Sequence, residues 1–253
     1  MSPSGRRIDF AALYVLHHRP WRDTSRMLDV FTREHGRLTL FARGVRGPRS
    51  TAASLLQPFR LLLASWSVSG DAGQLNQVEA ASGHEPGAAE LPAAALMPAW
   101  YLNELILKLT VRHDPQPQLF DLYTRTLERL RAGDTIAVTL RRFERELLEL
   151  LGYGIEFRQA TGGGAALAAD AYYHFHADLG FVEVGDAATD AAYGGRWLLA
   201  IAADEYAAAE VEETARRLFR AALDRALEGR DLRTRAVARA LSRRRTEQEK
   251  RSS

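Results

Sequence analysis

In residues 25–32 and 37–42 the side chains fall into two alternating sets, so that similar positions recur every second residue. In the second stretch, Leu38, Leu40 and Ala42 alternate with Arg37, Thr39 and Phe41. Alternation of this kind is typical of a β-strand, because successive side chains point to opposite faces. Glu34-His35-Gly36 separates the two stretches, and glycine readily takes the positive φ that a tight turn needs. The pattern therefore predicts a β-hairpin.

Three further apolar-rich runs surround this hairpin, at residues 11–18, 59–66 and 74–80. Five strands between residues 11 and 80 favour a small barrel or sandwich, and five is the strand count of an OB-fold. Apolar spacing of three and four residues follows from about residue 94 onward, which indicates helices. We therefore predict an α+β fold class, with an N-terminal five-stranded OB-fold β-barrel followed by a mainly helical domain with a small β-hairpin insertion.

The change of composition near residue 83 sets the expected domain boundary. Residues 1–82 would form the OB-fold domain and residues 83–253 the helical domain. Its helices are expected at 94–152 and 204–245, with the small β element at 157–201. Asp134 stands where it could cap the helix that carries Phe143 and Leu147.

The charge of the chain is divided unevenly along its length. Residues 1–60 contain eleven arginines and four acidic residues, a net charge of +7, and residues 215–253 carry +8. The middle, residues 61–214, carries −13. Basic ends favour an anionic partner, with nucleic acid as the leading candidate and an anionic membrane surface as the second. In the alternative interpretation, the charged residues only keep the surface solvated and bind no anionic partner, which would give the same distribution of charge.

Aromatic residues are interleaved with the N-terminal arginines. A groove for a single strand needs cations for the phosphates and aromatic faces for the bases. The predicted DNA-binding residues are Arg19, Trp21, Arg22, Arg33, Arg37, Arg43, Arg46 and Arg49. In the alternative interpretation, Trp21 and Phe41 belong to the core and the arginines only solvate the strands.

Catalytic and metal-binding motifs are scarce. The chain has no cysteine, which excludes disulfides, thiolate zinc sites and a thiol nucleophile. Gly162-Gly163-Gly164 lacks the Lys-Ser/Thr of a phosphate loop, and His174 and His176 have no third ligand near them in sequence. Arg145 and Glu149 have the spacing of a helical ion pair. We expect no enzymatic activity, no metal and no cofactor.

Several strings of residues resemble the RecO family of recombination mediators. They are Leu16-His17-His18-Arg19-Pro20-Trp21-Arg22-Asp23-Thr24-Ser25, Ala42-Arg43-Gly44-Val45-Arg46, Tyr101-Leu102-Asn103-Glu104-Leu105, Leu151-Gly152-Tyr153-Gly154 and Gly229-Arg230-Asp231-Leu232-Arg233-Thr234-Arg235. The resemblance covers residues 8–241, and its N-terminal string is the most specific. Some family members carry a four-cysteine zinc site after the Gly-Tyr-Gly element, and this chain departs from them because residues 157–162 hold no cysteine.

The resemblance implies binding of single- and double-stranded DNA, annealing of complementary strands, and help in loading RecA onto DNA coated by single-strand-binding protein. It implies two protein partners, RecR and the acidic C-terminal tail of the single-strand-binding protein, and a cytoplasmic, nucleoid-associated location without membrane contact. A receptor for that tail needs cations beside apolar side chains. The predicted tail-binding residues are Arg141, Arg142, Phe143, Arg216, Arg217 and Arg220.

Two other functions stay open at this point. The barrel could belong to a protein-interaction adaptor that does not bind nucleic acid. A nuclease would need clustered carboxylates for a metal ion, and the first sixty residues offer only Asp9, Asp23, Asp29 and Glu34.

Overall fold

The computed structural model describes residues 6–45, 50, 52–85, 87, 90–161, 165–185 and 191–252, with the backbone alone at 69, 242 and 244–252. The chain folds into two compact units. The first comprises residues up to 133 together with 232–253, and the second comprises residues 134–231. The domain boundary expected at residues 82–83 stays a prediction.

A closed five-stranded barrel begins the first unit. Its strands are β1 (Arg7–Trp21), β2 (Ser25–Thr32), β3 (Gly36–Ala42), β4 (Leu62–Ser69) and β5 (Ala72–Ala80), and a short helix, α1 (Ala52–Leu55), precedes β4. The spatial order is β1-β2-β3-β5-β4, closed by β1 against β4, with β3 and β5 parallel and the other pairs antiparallel. This confirms the predicted OB-fold barrel and the period-two strands within it.

The barrel interior is filled from alternate positions of the strands. Leu28 and Val30 on β2 meet Leu40 and Leu38 on β3, and all four are buried. On β5, a Cβ added to Gly73 would come within 2.6 Å of the Leu40 side chain, so the interior has no room for a larger residue there. The four consecutive residues Leu13–Leu16 are all buried.

Two helices account for that unbroken buried run. These are α2 (Ala93–Leu109) and α3 (Pro117–Ala132). Tyr14 points away from the barrel interior, and its ring lies 4.9 Å from that of Tyr123 and 5.4 Å from that of Phe120 on α3. The first unit ends with α7 (Arg233–Ser252), which packs against α2.

The second unit contains three helices and a small sheet. The helices are α4 (Ile136–Leu150), α5 (Gly195–Ala202) and α6 (Ala209–Ala226). The sheet has the order β7-β6-β8, from β6 (Tyr172–His176), β7 (Gly180–Val184) and β8 (Tyr193–Gly194). The hairpin of β6 and β7 confirms the predicted insertion. Both α4 and α5 pack on α6, with Phe143, Leu218 and Phe219 fully buried.

Two local predictions are wrong. The fourth strand was expected at residues 59–66 and lies at Leu62–Ser69, because Phe59 has a φ of 69° and turns the chain instead of extending it. Asp134 does not cap α4. The helix begins at Ile136, so Thr135 takes the N-cap position, and no side chain there bonds to the helix amides.

Candidate nucleic-acid interface

A row of exposed and half-buried side chains crosses the outside of the barrel. Arg19 pairs with Met27, Met27 with Phe41, and Phe41 with Gln74, so the row crosses β1, β2, β3 and β5. Because Leu28 and Leu40 next to this row point inward, Met27 and Phe41 point outward. Arg19 is exposed, and its Nη2 lies 3.8 Å from Sδ of Met27.

Trp21 adds a second aromatic ring at the end of β1. Its ring centroid lies 5.2 Å from that of Phe41 at an interplanar angle of 42°, and Trp21 is 41% exposed. Trp21 is therefore not a core residue, which settles one point that the sequence left open. An open indole ring beside a guanidinium group is the pairing that stacks bases and binds phosphate in single-strand sites.

Two more predicted arginines lie at this end of the barrel. Arg22 is in the turn between β1 and β2, and Arg43 directly follows β3. The pairings of Trp21 with Ser25 and of Arg26 with Ala42 bring the turn beside the end of β3. Both arginines are exposed. We call the surface formed by Arg19, Trp21, Arg22, Phe41 and Arg43 the Trp21 face.

Arg33 lies away from the Trp21 face. It follows the other end of β2, six positions from Met27, or about 20 Å along an extended chain. Its Nε and Nη2 donate to the two carboxylate oxygens of Asp121 on α3, at 2.9 and 3.0 Å. These bonds and the positive charge of Arg33 hold the pKa of the Asp121 carboxyl below its ordinary value.

Arg37 is half-buried and binds the end of α2. Its Nε donates to Thr110 Oγ1 at 3.1 Å and its Nη2 to the Thr110 carbonyl at 2.8 Å. Burial, followed by the nearby charge of Arg112, lowers the pKa of the Arg37 guanidinium. A cation at a helix C-terminus is favourable, so Arg37 helps to attach α2 to the barrel. Arg46 and Arg49 lie outside the described residues.

Sequence reasoning missed one arginine that adjusts the charge of this surface. Arg112 lies 3.2 Å from the Asp29 carboxylate and donates to Thr39 Oγ1 at 2.9 Å. Asp29 and Thr39 are paired on β2 and β3, two positions from Met27 and Phe41, and so point to the same side. Arg112 thus neutralises a carboxylate next to the Trp21 face. No sequence spacing could reveal this, because Arg112 follows Asp29 by 83 residues.

The predicted tail-binding residues on α4 are largely engaged within the second unit. Arg141 is 7% exposed and its Nη2 lies 3.0 Å from the Glu144 carboxylate, while Phe143 is fully buried. The Nη2 of Arg142 lies 2.8 Å from the carboxylate of Asp204. The expected ion pair of Arg145 with Glu149 is present at 3.2 Å.

The arginines of α6 are more accessible. Arg216 pairs with Glu213 at 2.6 Å and Arg220 with Asp224 at 3.9 Å, and all four side chains are about half exposed. Arg217 lies with its guanidinium carbon 4.8 Å from the ring centroid of Tyr193 and donates to the Ala192 carbonyl.

A groove of about 520 Å³ opens beside Arg217 in the second unit. Trp197, Tyr172 and Thr214 contribute to its walls, together with Arg196, whose guanidinium carbon lies 5.5 Å from the Trp197 ring centroid. The groove therefore offers two cations beside aromatic surface. Of the six predicted tail-binding residues, Arg217 lines it.

Two negative findings apply to the part of the chain that the structure describes. No three histidine, aspartate or glutamate side chains there are grouped so that they could hold a metal ion. No helix within those residues is both long and apolar enough to cross a membrane.

Comparison with known proteins identifies the family. The family described as recombination protein O, N terminal, matches residues 11–84, and recombination protein O, C terminal, matches residues 93–236. Proteins named DNA repair protein RecO are similar along most of their length. The one from Methylococcus capsulatus is 40% identical over 95% of this chain and 96% of its own, and the one from Alkalilimnicola ehrlichii is 41% identical over 95% and 94%. The one from Haemophilus influenzae is 36% identical over 88% of this chain and 95% of its own. The chain belongs to the RecO family, whose N-terminal and C-terminal parts it matches in order.

Proposed function

We propose that this protein is a DNA repair and recombination mediator. It binds single- and double-stranded DNA, anneals complementary strands, and with RecR helps to load RecA onto DNA coated by single-strand-binding protein. The observation that carries the proposal is the Trp21 face, where three exposed arginines surround two adjoining aromatic rings. The names of the relatives, DNA repair protein RecO, support it.

The Trp21 face would bind a strand in two ways. Arg19, Arg22 and Arg43 neutralise phosphates and release counterions, so affinity falls as salt rises. Trp21 and Phe41 stack on bases without reading their edges, because every base has a π-face. Such binding is tolerant of sequence, as a mediator that acts anywhere on a chromosome requires.

Annealing on this surface needs no catalytic group. Neutralised phosphates allow two strands to approach, and base pairing then supplies the free energy. The protein acts stoichiometrically and leaves the DNA covalently unchanged. It is therefore proposed to be a non-enzymatic protein without cofactors, working at the nucleoid in the cytoplasm.

The second unit is proposed to receive the tail of the single-strand-binding protein. An acidic tail with an apolar terminal residue needs cations beside an apolar surface, and the groove of Arg217, Arg196 and Trp197 has both. In this proposal Arg217 is the residue of the predicted set that binds the tail in the groove. Arg216 and Arg220 are half-exposed on the same helix and would bind the acidic residues of the tail. Phe143 and Arg141 are buried in the same unit and do not line the groove.

One titration separates the mediator from its two rivals. Labelled single-stranded DNA is titrated with protein at two salt concentrations, with and without magnesium, and the DNA is then examined for cleavage. A mediator binds more weakly at high salt and leaves the DNA intact, with complementary strands annealing faster than without protein. An adaptor would not bind, and a nuclease would cleave when magnesium is present.

A further inference from the structure

The C-terminal helix α7 begins with a fixed first turn. The Glu104 carboxylate on α2 accepts hydrogen bonds from the backbone amides of Arg233 and Thr234, at 2.8 and 2.9 Å, and from Thr234 Oγ1 at 2.7 Å. The guanidinium carbon of Arg235 lies 6.0 Å from the ring centroid of Tyr101. These contacts set the direction in which the helix leaves α2.

The stretch of α7 that follows is open to solvent. Residues 236–241 and Arg243 are all exposed, with Val237 at 46% and Leu241 at 51%. A helix of 20 residues is about 30 Å long. Most helical stability in proteins comes from packing, so the exposed stretch at residues 236–241 gains little stability from the rest of this chain. A bound partner would therefore stabilise it.

The charge of α7 points to an anionic partner. Residues 233–252 hold eight arginines and lysines and two glutamates, a net charge of +6. The family match ends at residue 236, so most of this charge lies beyond the part shared with the family. It is also separate from the Trp21 face, which lies on the barrel.

The distribution of the arginines along α7 distinguishes duplex DNA from a flat anionic surface. Arg239 and Arg243 are four residues apart and share one side, since that spacing turns a helix by about 400°. Arg233 is also exposed and lies six positions before Arg239, about 120° around the helix axis from it, so the exposed arginines of α7 occupy more than one side. A flat surface meets one side of a helix. The major groove, about 12 Å wide, admits a helix between two walls of phosphates and so meets several sides.

We propose that α7 beyond Ala236 is a separate binding element for double-stranded DNA, which lies in the major groove, contacts the backbone on both walls and is stabilised as a helix by binding. This inference rests on the proposed DNA-binding function and assigns its duplex partner to a second site. The arginines make phosphate contacts and no base-specific ones, so binding is independent of sequence.

The test compares Arg239→Glu/Arg243→Glu with a matched control, Arg125→Glu/Arg225→Glu, in the full chain. Both variants replace exposed arginines on helices and change the net charge equally, and neither control residue belongs to a proposed binding surface. Binding of a labelled duplex and a labelled single strand is measured at several salt concentrations. The α7 variant should bind the duplex at least tenfold more weakly, with a salt slope smaller by about 2 because two phosphate contacts are lost. The control should retain duplex affinity, and single-strand affinity should change by less than threefold in both.

A chain shortened after Ala236 gives a second measurement. On addition of duplex, the circular dichroism signal at 222 nm should deepen for the full chain and stay constant for the shortened one. Unchanged duplex affinity of the α7 variant overturns the inference while the proposed function stands. A parent protein that binds neither form of DNA overturns the proposed function as well. Loss of binding to phosphatidylserine vesicles or to an acidic protein, with duplex binding intact, also overturns the inference.

Discussion

The side-chain amide of Asn103 donates a hydrogen bond of 2.8 Å to the backbone carbonyl of Leu16. The pairing of β1 with β2 shifts register between Val15 and His17, so Leu16 lies at a β-bulge. Asn103 is 1% exposed, and its Oδ1 accepts a hydrogen bond of 2.5 Å from the Tyr123 hydroxyl. One side chain thus connects a strand of the barrel with α2 and α3.

Replacing Asn103 should destabilise the first unit strongly. In Asn103→Ala the Leu16 carbonyl and the Tyr123 hydroxyl lose their partner, and each unsatisfied buried group costs about 1–3 kcal/mol. Tyr123→Phe leaves one buried group, the Asn103 Oδ1, without its partner, so it should cost about 1–3 kcal/mol and less than Asn103→Ala. Chemical denaturation measures both free energies of unfolding. Equal stability of Asn103→Ala and the parent would contradict this role.

The contribution of Glu104 should depend on pH. Burial would raise the pKa of the Glu104 carboxyl, but the hydrogen bonds from Thr234 and Arg233 and the charge of Lys108 lower it below the ordinary value of 4.5. Because the folded-state pKa is the lower one, its stabilising effect is present above pH 4.5 and is lost as the pH falls through the folded-state pKa.

Glu104→Gln tests that dependence. At neutral pH the variant should show faster hydrogen exchange at the amides of Arg233 and Thr234, because a neutral amide is a weaker acceptor at a helix N-terminus. As the pH falls below the folded-state pKa of Glu104, the difference between variant and parent should shrink. A difference that grows as the pH falls would show that the charged carboxylate is not what holds α7.

Trp21→Ala should weaken single-strand binding without unfolding the chain. Stacking contributes about 1–3 kcal/mol per base, which corresponds to at least a fivefold loss of affinity. Trp21 is 41% exposed, so its removal should change the melting temperature little. Tyr153→Ala is the matched control, since Tyr153 is 42% exposed and lies in the second unit. Equal affinities of the two variants would remove Trp21 from the binding surface.

Arg22→Gly should separate stability from binding. Arg22 has a φ of 51°, a left-handed conformation that costs an L-residue about 1–2 kcal/mol and glycine almost nothing. Glycine also gains freedom in the unfolded chain, which offsets part of that relief, so the variant should be as stable as the parent or more stable by up to about 1 kcal/mol. Its single-strand affinity should nevertheless fall, because a cation of the Trp21 face is lost. A less stable variant with full affinity would contradict both parts.

Much of the barrel could be predicted because its strands have one buried face. The alternation around Leu38 and Leu40 gives β3 to within one residue. The strand β1 runs from Arg7 to Trp21 and is longer than predicted, because its polar ends gain pairing partners without gaining burial. The helix α5 was missed, since it begins at Gly195 and its residues Trp197–Ala202 are all apolar.

The candidate site could be predicted only in part, for a different reason. Composition identifies arginines that are able to bind DNA, but it does not reveal which of them already have a partner. Asp121 lies 88 residues after Arg33, and Thr110 lies 73 residues after Arg37. Both contacts depend on how the helices pack on the barrel. The residues near Arg33 and Arg37 in sequence therefore do not predict either contact.

The salt dependence of single-strand binding tests the role of the Trp21 face most directly. Arg19→Gln/Arg43→Gln removes two of its cations, and Arg7→Gln/Arg33→Gln removes two barrel arginines that are paired with Asp9 and Asp121. Each phosphate contact contributes about 0.7 to the slope of log affinity against log salt, so the first variant should lose about 1.4 and the second close to none. Equal slopes in the two variants, or a parent whose affinity does not change with salt, would contradict the account.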